Sequence, residues 1–182
     1  MPATMRAAVF RDVRDIHIEE VPVPDCGPTD AIVRITTTTI CGTDSHIWRG
    51  EYPVAPGRVV GHEPVGVIHE LGGAVRGYEI GERVVVGAIT PCGTCYFCQR
   101  GDMAQCAGYE DEWALIGGWR LGNSVDGVQA EYFRVPYAQA NLAHIPEGLS
   151  DEEVVFVTDI ASTGISAIEA ADVQLGDSVA VF

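Results

Sequence analysis

The chain has 182 residues, of which 47% are hydrophobic and 20% charged, a composition typical of a folded protein and not of a disordered one. Its 11 basic residues, all arginines, are outnumbered by 26 acidic ones, and the net charge of −15 argues against nucleic acid as a partner, because phosphate binding needs clustered cations. The absence of lysine excludes Schiff-base lysine chemistry and a lysine-bearing phosphate loop. No apolar stretch approaches the roughly 20 residues of a membrane helix and no secretory leader pattern occurs, so we expect a cytoplasmic protein that does not bind membranes.

Residues 1–150 are predicted to form a mainly β domain with some α structure. Short runs of apolar and branched residues recur there between glycines and prolines. In chain order, the predicted strands are residues 5–10, 16–19, 31–35, 65–68, 83–86 and 130–135. Many short strands separated by such turns favour a closed or partly closed β-barrel.

The pattern becomes helical at Ser150. Ser150 and Glu153 have the spacing of a capping box, in which Ser150 is the N-cap and Glu153 the N3 residue. We predict an apolar helix over 154–161 and a second helical stretch over 165–171, so that residues 151–175 form a helical connection. Residues 176–182 are predicted to be a turn that leads into a buried strand. A terminal strand without a neighbour is an unfavourable end for a domain, so we interpret the chain as a fragment that ends inside its next domain.

Four cysteines lie within fifteen positions, with the spacing C-x2-C-x2-C-x7-C: Cys92, Cys95, Cys98 and Cys106. Four thiolates on one compact loop can hold a zinc ion tetrahedrally with no open position, as in structural zinc sites. Free or disulfide-paired thiols are the alternative, but four regularly spaced cysteines seldom occur without a metal ion. The sequence therefore predicts a structural zinc lobe at about residues 91–107.

A second candidate metal site is scattered along the chain. Cys41 follows a predicted strand and His62 directly precedes another. Asp159 lies in an otherwise nearly apolar segment, where an unpaired buried carboxylate would be costly and a cation or hydrogen-bonding partner is expected. The alternative is that Asp159 caps the following helix. Cys, His and Asp together suit a catalytic zinc ion with one open coordination position.

Three further residues could serve such a site. An open zinc ion lowers the pKa of an alcohol that it binds, and Thr43, two residues from Cys41, could accept the released proton. His46 could pass that proton to solvent. Glu63, beside His62, could support the metal ligands or act as an occasional ligand.

Together these motifs resemble the zinc-dependent medium-chain alcohol dehydrogenase family, and the resemblance covers essentially the whole chain. The motifs occur in the order found in that family: Cys41-Gly42-Thr43-Asp44 with His46, Gly61-His62-Glu63, Gly81-Glu82-Arg83-Val84, the four-cysteine lobe, and Thr163-Gly164 before a helix.

The resemblance implies a GroES-like β-barrel catalytic domain followed by a Rossmann domain that binds NAD or NADP, whose first strand residues 176–182 resemble. It also implies two zinc ions per chain, a contact of Thr163 with the coenzyme, and a homo-oligomer, a dimer or a tetramer. The expected reaction is hydride transfer between a small alcohol and its ketone or aldehyde.

Asp as the third zinc ligand resembles the bacterial NADP-linked secondary alcohol dehydrogenases, as does Gly118-Trp119-Arg120. On that likeness Ala88, Ile89 and Trp119 would line a small substrate pocket. Well-known members of that group lack the lobe cysteines, which this chain retains. A formaldehyde-oxidising or aldehyde-dismutating relative therefore remains open, as does a zinc-stabilised binding or assembly module without catalysis.

Overall fold

The computed structural model describes residues 2–108 and 117–182. Its seven strands are β1 (Thr4–Asp12), β2 (Asp15–Pro22), β3 (Ala31–Thr38), β4 (Pro64–Leu71), β5 (Arg83–Val86), β6 (Tyr132–Val135) and β7 (Leu142–His144). All six predicted strands are confirmed. The sequence did not reveal β7, which has only three residues and therefore no readable alternation.

The helices are short. They are α1 (Gly42–Trp48), α2 (Ala138–Asn141), α3 (Asp151–Val154) and α4 (Ile160–Ala170), with 3-10 turns at Cys98–Arg100, Met103–Gln105 and Val155–Thr158. The capping box is confirmed, because the Ser150 hydroxyl accepts from the Glu153 N–H and the Glu153 carboxylate accepts from the Ser150 N–H. Within the described ranges, no helix is long and apolar enough to cross a membrane.

The strands form a hairpin and an antiparallel sheet. β1 pairs with β2, while the other five strands pair in the order β6-β3-β4-β5-β7. Isolated bridges from Ala7 to Ala130 and from Val9 to Val59 join the hairpin to the rest of the fold. All five strands of the sheet contribute to one buried cluster, which includes Val33, Ile68 and Phe133, and this cluster is the main core.

The register places three loops at one end of the sheet. Thr38, the last residue of β3, pairs with Pro64, the first residue of β4. On the other side of β4, Val65 pairs with Val85 near the end of β5. The segments that follow β3, precede β4 and follow β5 therefore emerge together. This end of the sheet carries Cys41, His62 and Ala88.

The prediction of one helix over 154–161 is wrong. A 3-10 turn covers Val155–Thr158, and Asp159 leaves helical geometry with φ −139° and ψ −71° before α4 begins. The Thr158 carbonyl accepts from the Ala88 N–H at 2.8 Å, and its hydroxyl donates to the Val155 carbonyl at 2.6 Å. Contact with the segment after β5 thus replaces helical hydrogen bonds, a tertiary effect that an apolar run does not reveal.

Residues 176–182 form no strand in this structure, contrary to the sequence prediction, and the Val181 side chain is 92% exposed. A buried parallel strand needs neighbours on both sides, and no described residue pairs with this segment. The assignment of residues 176–182 to the start of a further domain stays a prediction.

Candidate metal centres and active site

Cys41, His62 and Asp159 converge at the end of the sheet where β3 ends and β4 begins. One ligand atom from each residue lies within 4.8 Å of the other two. His62 Nε2 and Asp159 Oδ2 are 3.3 Å apart, and the His62 side chain is buried. Residues 118 positions apart in the chain therefore meet at one point, as the sequence predicted for a shared ion.

Local backbone structure positions Cys41 and His62 at the cluster. Cys41 is the N-cap residue of α1, in which the Asp44 carboxylate accepts from the Cys41 N–H at 2.8 Å. Gly61, just before His62, has φ +92°, and a Cβ there would lie 2.6 Å from Cγ of Gln129. Glycine therefore lets the chain pass Gln129 and turn His62 inward.

Asp159 does not behave as an ordinary helix cap. It occupies the N-cap position of α4, yet its carboxylate accepts no capping hydrogen bond from the backbone. Oδ1 instead accepts from the Thr163 hydroxyl at 2.7 Å, while Oδ2 faces His62. Between the two interpretations of Asp159, this geometry favours the metal ligand.

The spacing of these atoms fits zinc. Bond lengths of about 2.0–2.3 Å in a tetrahedral site place neighbouring ligand atoms roughly 3.3–3.8 Å apart. The 3.3 Å between His62 Nε2 and Asp159 Oδ2 agrees with that range. A thiol, an imidazole and a carboxylate form a donor set typical of zinc with one position left open. The residues present therefore fit the ion.

Glu63 is buried beside this cluster but is not one of the three converging side chains. Its Oε2 accepts from the hydroxyl of Thr39, a residue that sequence reasoning missed, and its Oε1 has no hydrogen-bond partner in the described part of the chain. The Thr39 hydroxyl thus holds the buried Glu63 carboxyl group directly after His62 in the chain. Of the two predicted roles for Glu63, supporting the ligands agrees better with this placement.

The predicted proton-relay residues both lie on α1. The Cys41 Sγ–H contacts Thr43 Oγ1 at 3.8 Å, so Thr43 faces the three-residue cluster. His46 lies one turn further along and is half exposed, with its Nδ1 hydrogen-bonded to Glu51. Thr43 thus contacts the cluster through Cys41, and His46 reaches solvent from the same helix.

The predicted pocket residues are only partly available to a ligand. Ile89 and Trp119 face each other across an isolated β-bridge, and Ile89 is 41% exposed. The Ala88 side chain is buried, and this residue contributes its backbone N–H to hold Thr158. Tyr52, which sequence reasoning missed, lies 5.7 Å from the Trp119 ring and 5.3 Å from the His46 ring. An aromatic wall therefore runs from Trp119 to His46.

Thr163, predicted to contact a coenzyme, lies within the first turns of α4, not before the helix as the motif suggested. The contact that its hydroxyl makes is with Asp159. Since α4 has no buried residue in this structure, Thr163 remains open to solvent.

The four-cysteine lobe forms a second cluster. The sulfur atoms of Cys92, Cys95, Cys98 and Cys106 lie within 4.8 Å of one another, with 3.4 Å between Cys95 and Cys98 and 3.9 Å between Cys92 and Cys98. All four are free of disulfides. Zn–S bonds of about 2.3 Å place tetrahedral sulfurs roughly 3.8 Å apart, so this geometry also fits zinc.

Thiolate character in the lobe comes from the backbone. The Cys92 N–H donates to Cys106 Sγ at 3.2 Å, and the Cys95 N–H donates to Cys92 Sγ at 3.3 Å. Backbone N–H groups lower the pKa of Cys95 to about 6, whereas burial and the neighbouring thiols raise the pKa of Cys98 to about 12. A bound cation would allow all four sulfurs to ionise, because it offsets both their burial and their mutual repulsion.

Comparison with known proteins settles the family. The family model described as "Alcohol dehydrogenase GroES-like domain" matches residues 27–147, about two thirds of the chain. The chain belongs to the alcohol dehydrogenase GroES-like domain family. The four-cysteine lobe, Cys41 and His62 all lie within the matched residues, whereas Asp159 lies after them.

Relatives extend the likeness over the whole chain. An alcohol dehydrogenase of Cupriavidus necator is 53% identical over 100% of this chain and 52% of its own length. An NADP-dependent isopropanol dehydrogenase of Entamoeba histolytica is 36% identical over 98% of this chain and 47% of its own length. The solved alcohol dehydrogenase TADH from Thermus sp. ATN1 is similar with a TM-score of 0.84 and 36% identity, covering 95% of this chain and 49% of that one. The GroES-like chain thus spans about half the length of these relatives.

Proposed function

We propose that the intact protein is a zinc-dependent alcohol dehydrogenase that transfers a hydride between a secondary alcohol, or its ketone, and NAD or NADP. The observation that carries this proposal is the convergence of Cys41, His62 and Asp159, a donor set that leaves one position of a tetrahedral zinc ion open. The likeness to an isopropanol dehydrogenase supports a small secondary alcohol as substrate.

Two zinc ions per chain follow from the two clusters, one held by Cys41, His62 and Asp159 and the other by the four lobe cysteines. When bound, zinc supplies a Lewis acid for the alcohol or carbonyl oxygen, and the nicotinamide supplies the hydride acceptor or donor. The chain's own residues position the substrate and move the proton. In alcohol oxidation, Thr43 accepts the hydroxyl proton and His46 carries it toward solvent.

Other parts of the chain give the substrate its shape and the coenzyme its position. The aromatic wall, together with Ile89 opposite Trp119, offers an apolar surface suited to a small alkyl group. Thr163 is our candidate for a coenzyme contact, because its exposed position lies one helical turn from Asp159.

We also place the enzyme in the cytoplasm as a homo-oligomer, a dimer or a tetramer. Six cysteines without disulfides are typical of a reducing compartment. Ile160, Ile165 and Ile168 are exposed on α4, an apolar surface suited to being covered by further protein.

The test is oxidation of 2-propanol by the full-length protein with NAD⁺ or NADP⁺, comparing the wild type with Asp159→Asn. We expect zinc-dependent turnover in the wild type and a loss of at least about 100-fold in kcat/KM in the variant, because a neutral amide holds zinc less well than a carboxylate. Asp172→Asn, a matched change at an exposed aspartate just after α4, should leave turnover unchanged.

Each other outcome points to a named alternative. Turnover with formaldehyde but not with 2-propanol would favour a formaldehyde-oxidising or aldehyde-dismutating enzyme. Zinc retention without any turnover of alcohols or aldehydes would favour the non-catalytic zinc module.

A further inference from the structure

Helix α1 ends in a C-terminal capping motif formed by backbone hydrogen bonds. The Gly50 N–H donates to the Ile47 carbonyl at 2.9 Å, and the Glu51 N–H donates to the His46 carbonyl at 2.9 Å. These two bonds form a Schellman motif, which needs a left-handed residue, and Gly50 has φ +76°. A Cβ at Gly50 would also lie 2.6 Å from the Val13 side chain. Glycine is therefore required both for the left-handed backbone and for lack of space.

This motif places Glu51 beside the His46 ring. Glu51 Oε2 contacts Nδ1 of His46, and both side chains are about half exposed. The hydrogen bond from His46 lowers the pKa of the Glu51 carboxyl, with a smaller contribution from the nearby positive charge of Arg49. Glu51 is therefore ionised at neutral pH and can only accept a hydrogen bond.

An acceptor at Nδ1 determines the tautomer of the neutral imidazole. The ring must carry its proton on Nδ1 to donate to Glu51, and Nε2 is then the basic nitrogen. The Tyr52 ring, tilted by 46° at 5.3 Å from the His46 ring, restricts rotation of the imidazole from another side. Two neighbours thus hold His46 in one orientation and one tautomer.

We propose that Glu51 is a positioning residue for the proton relay, which holds the proton of the neutral His46 ring on Nδ1, leaves Nε2 free to accept a proton, and receives the proton that His46 releases from Nδ1. This inference rests on the proposed function. In alcohol oxidation, the proton from the Thr43 hydroxyl bonds to Nε2, and the N–H bond at Nδ1 breaks as its proton passes to the Glu51 carboxylate. The half-exposed carboxyl group then loses the proton to water, and proton exchange of the half-exposed imidazole with water moves the ring proton from Nε2 back to Nδ1 before the next turnover. Charge, protons and tautomer are thus restored without another reactant.

The test compares Glu51→Gln and Glu51→Leu in the full-length enzyme. Glutamine can still accept from Nδ1 but cannot take up a proton, whereas leucine can do neither. We expect both variants to lose about tenfold in kcat for 2-propanol oxidation at low buffer concentration, with KM within twofold of the wild type, as typical for loss of an outer partner. Added imidazole buffer should restore most of kcat, because a soluble base replaces the missing acceptor.

A second readout does not depend on turnover. In protein labelled with ¹⁵N-histidine, with the His46 signal assigned by its loss in His46→Gln, the ring nitrogens report the tautomer directly. We expect the Nδ1–H form in the wild type and in Glu51→Gln, and loss of that preference in Glu51→Leu.

The matched control is Asp15→Asn, which alters the exposed His17–Asp15 pair on the β1–β2 hairpin. It should change neither kcat nor the His46 signal. An unchanged tautomer in Glu51→Leu, or a loss of kcat that buffer does not restore, would overturn the inference. A wild type without alcohol turnover would instead refute the proposed function. The tautomer measurement would then still show whether Glu51 holds the His46 proton on Nδ1.

Discussion

Asp159 uses its two carboxylate oxygens for different purposes. One faces His62 at 3.3 Å, while the other accepts from the Thr163 hydroxyl at 2.7 Å. A carboxylate anchored by one oxygen loses less freedom when the other binds a metal ion, so the hydroxyl should contribute to zinc affinity.

We therefore expect Thr163→Val to weaken zinc binding at the Cys41 site about tenfold, as for other outer partners of metal ligands. Competition with a chelator on the full-length protein, followed by the zinc content per chain, measures this affinity. Ser166→Ala is the control, since its hydroxyl donates to the Ser162 carbonyl on the same helix at 2.9 Å without touching Asp159. Equal zinc retention in Thr163→Val and Ser166→Ala would contradict the anchoring role.

The sequence alone predicted the three converging side chains because their chemistry is distinctive. A carboxylate in an apolar run is costly to bury unless a cation or a hydrogen bond compensates it, and a cysteine that follows a strand can supply a metal-binding thiolate. The roles of Thr39, Glu51 and Tyr52 were not predictable, because each depends on a contact whose geometry only the folded chain provides. Their residue types are common on ordinary surfaces, so no pattern distinguished them.

At the scale of elements, Asp151 ties the start of α3 to the sheet. Its carboxylate accepts from the Thr36 hydroxyl of β3 and from Arg83 Nε of β5, the latter at 3.0 Å. Partial burial raises the pKa of Asp151, but the bonds from Thr36 and Arg83 outweigh it, and the pKa lies below the ordinary value of 3.8. These contacts hold in place the segment that leads to Asp159.

We predict that Asp151→Asn lowers the free energy of unfolding at neutral pH by about 1–2 kcal/mol, as for loss of hydrogen bonds to a charged group. A carboxyl whose pKa is lowered by folding stabilises the fold above its unfolded pKa, and the contribution disappears as the pH falls through its folded pKa. The difference between wild type and variant should therefore shrink as the pH falls below 3.8. Urea unfolding of the full-length protein across this range measures it, and a difference independent of pH would contradict the assignment.

Elements with strong local signals were predictable, and those defined by tertiary contacts were not. The capping box at Ser150 and the six predicted strands could be predicted because short side-chain patterns determine them locally. The break at Asp159 depends on the Ala88 N–H reaching the Thr158 carbonyl across the fold. The short strand β7 likewise exists because β5 offers it an edge.

In the molecule as a whole, the sheet register brings residues that are distant in the chain together at the Cys41, His62 and Asp159 cluster. Antiparallel pairing of β3, β4 and β5 brings three chain segments to one end of the sheet, and the connection after α3 adds Asp159. The lobe cysteines form their own cluster within fifteen positions of the chain. The fold thus brings together two separate clusters with the donor sets of two different kinds of zinc site.

Anomalous diffraction at the zinc edge, from crystals of the full-length protein, locates zinc at each cluster. We predict two zinc peaks per chain, one surrounded by the four lobe sulfurs and the other within about 2.0–2.3 Å of Cys41 Sγ, a His62 ring nitrogen and an Asp159 oxygen. A single peak in the lobe of zinc-replete crystals, with Asp159 making only the contacts of a helix cap, would contradict it.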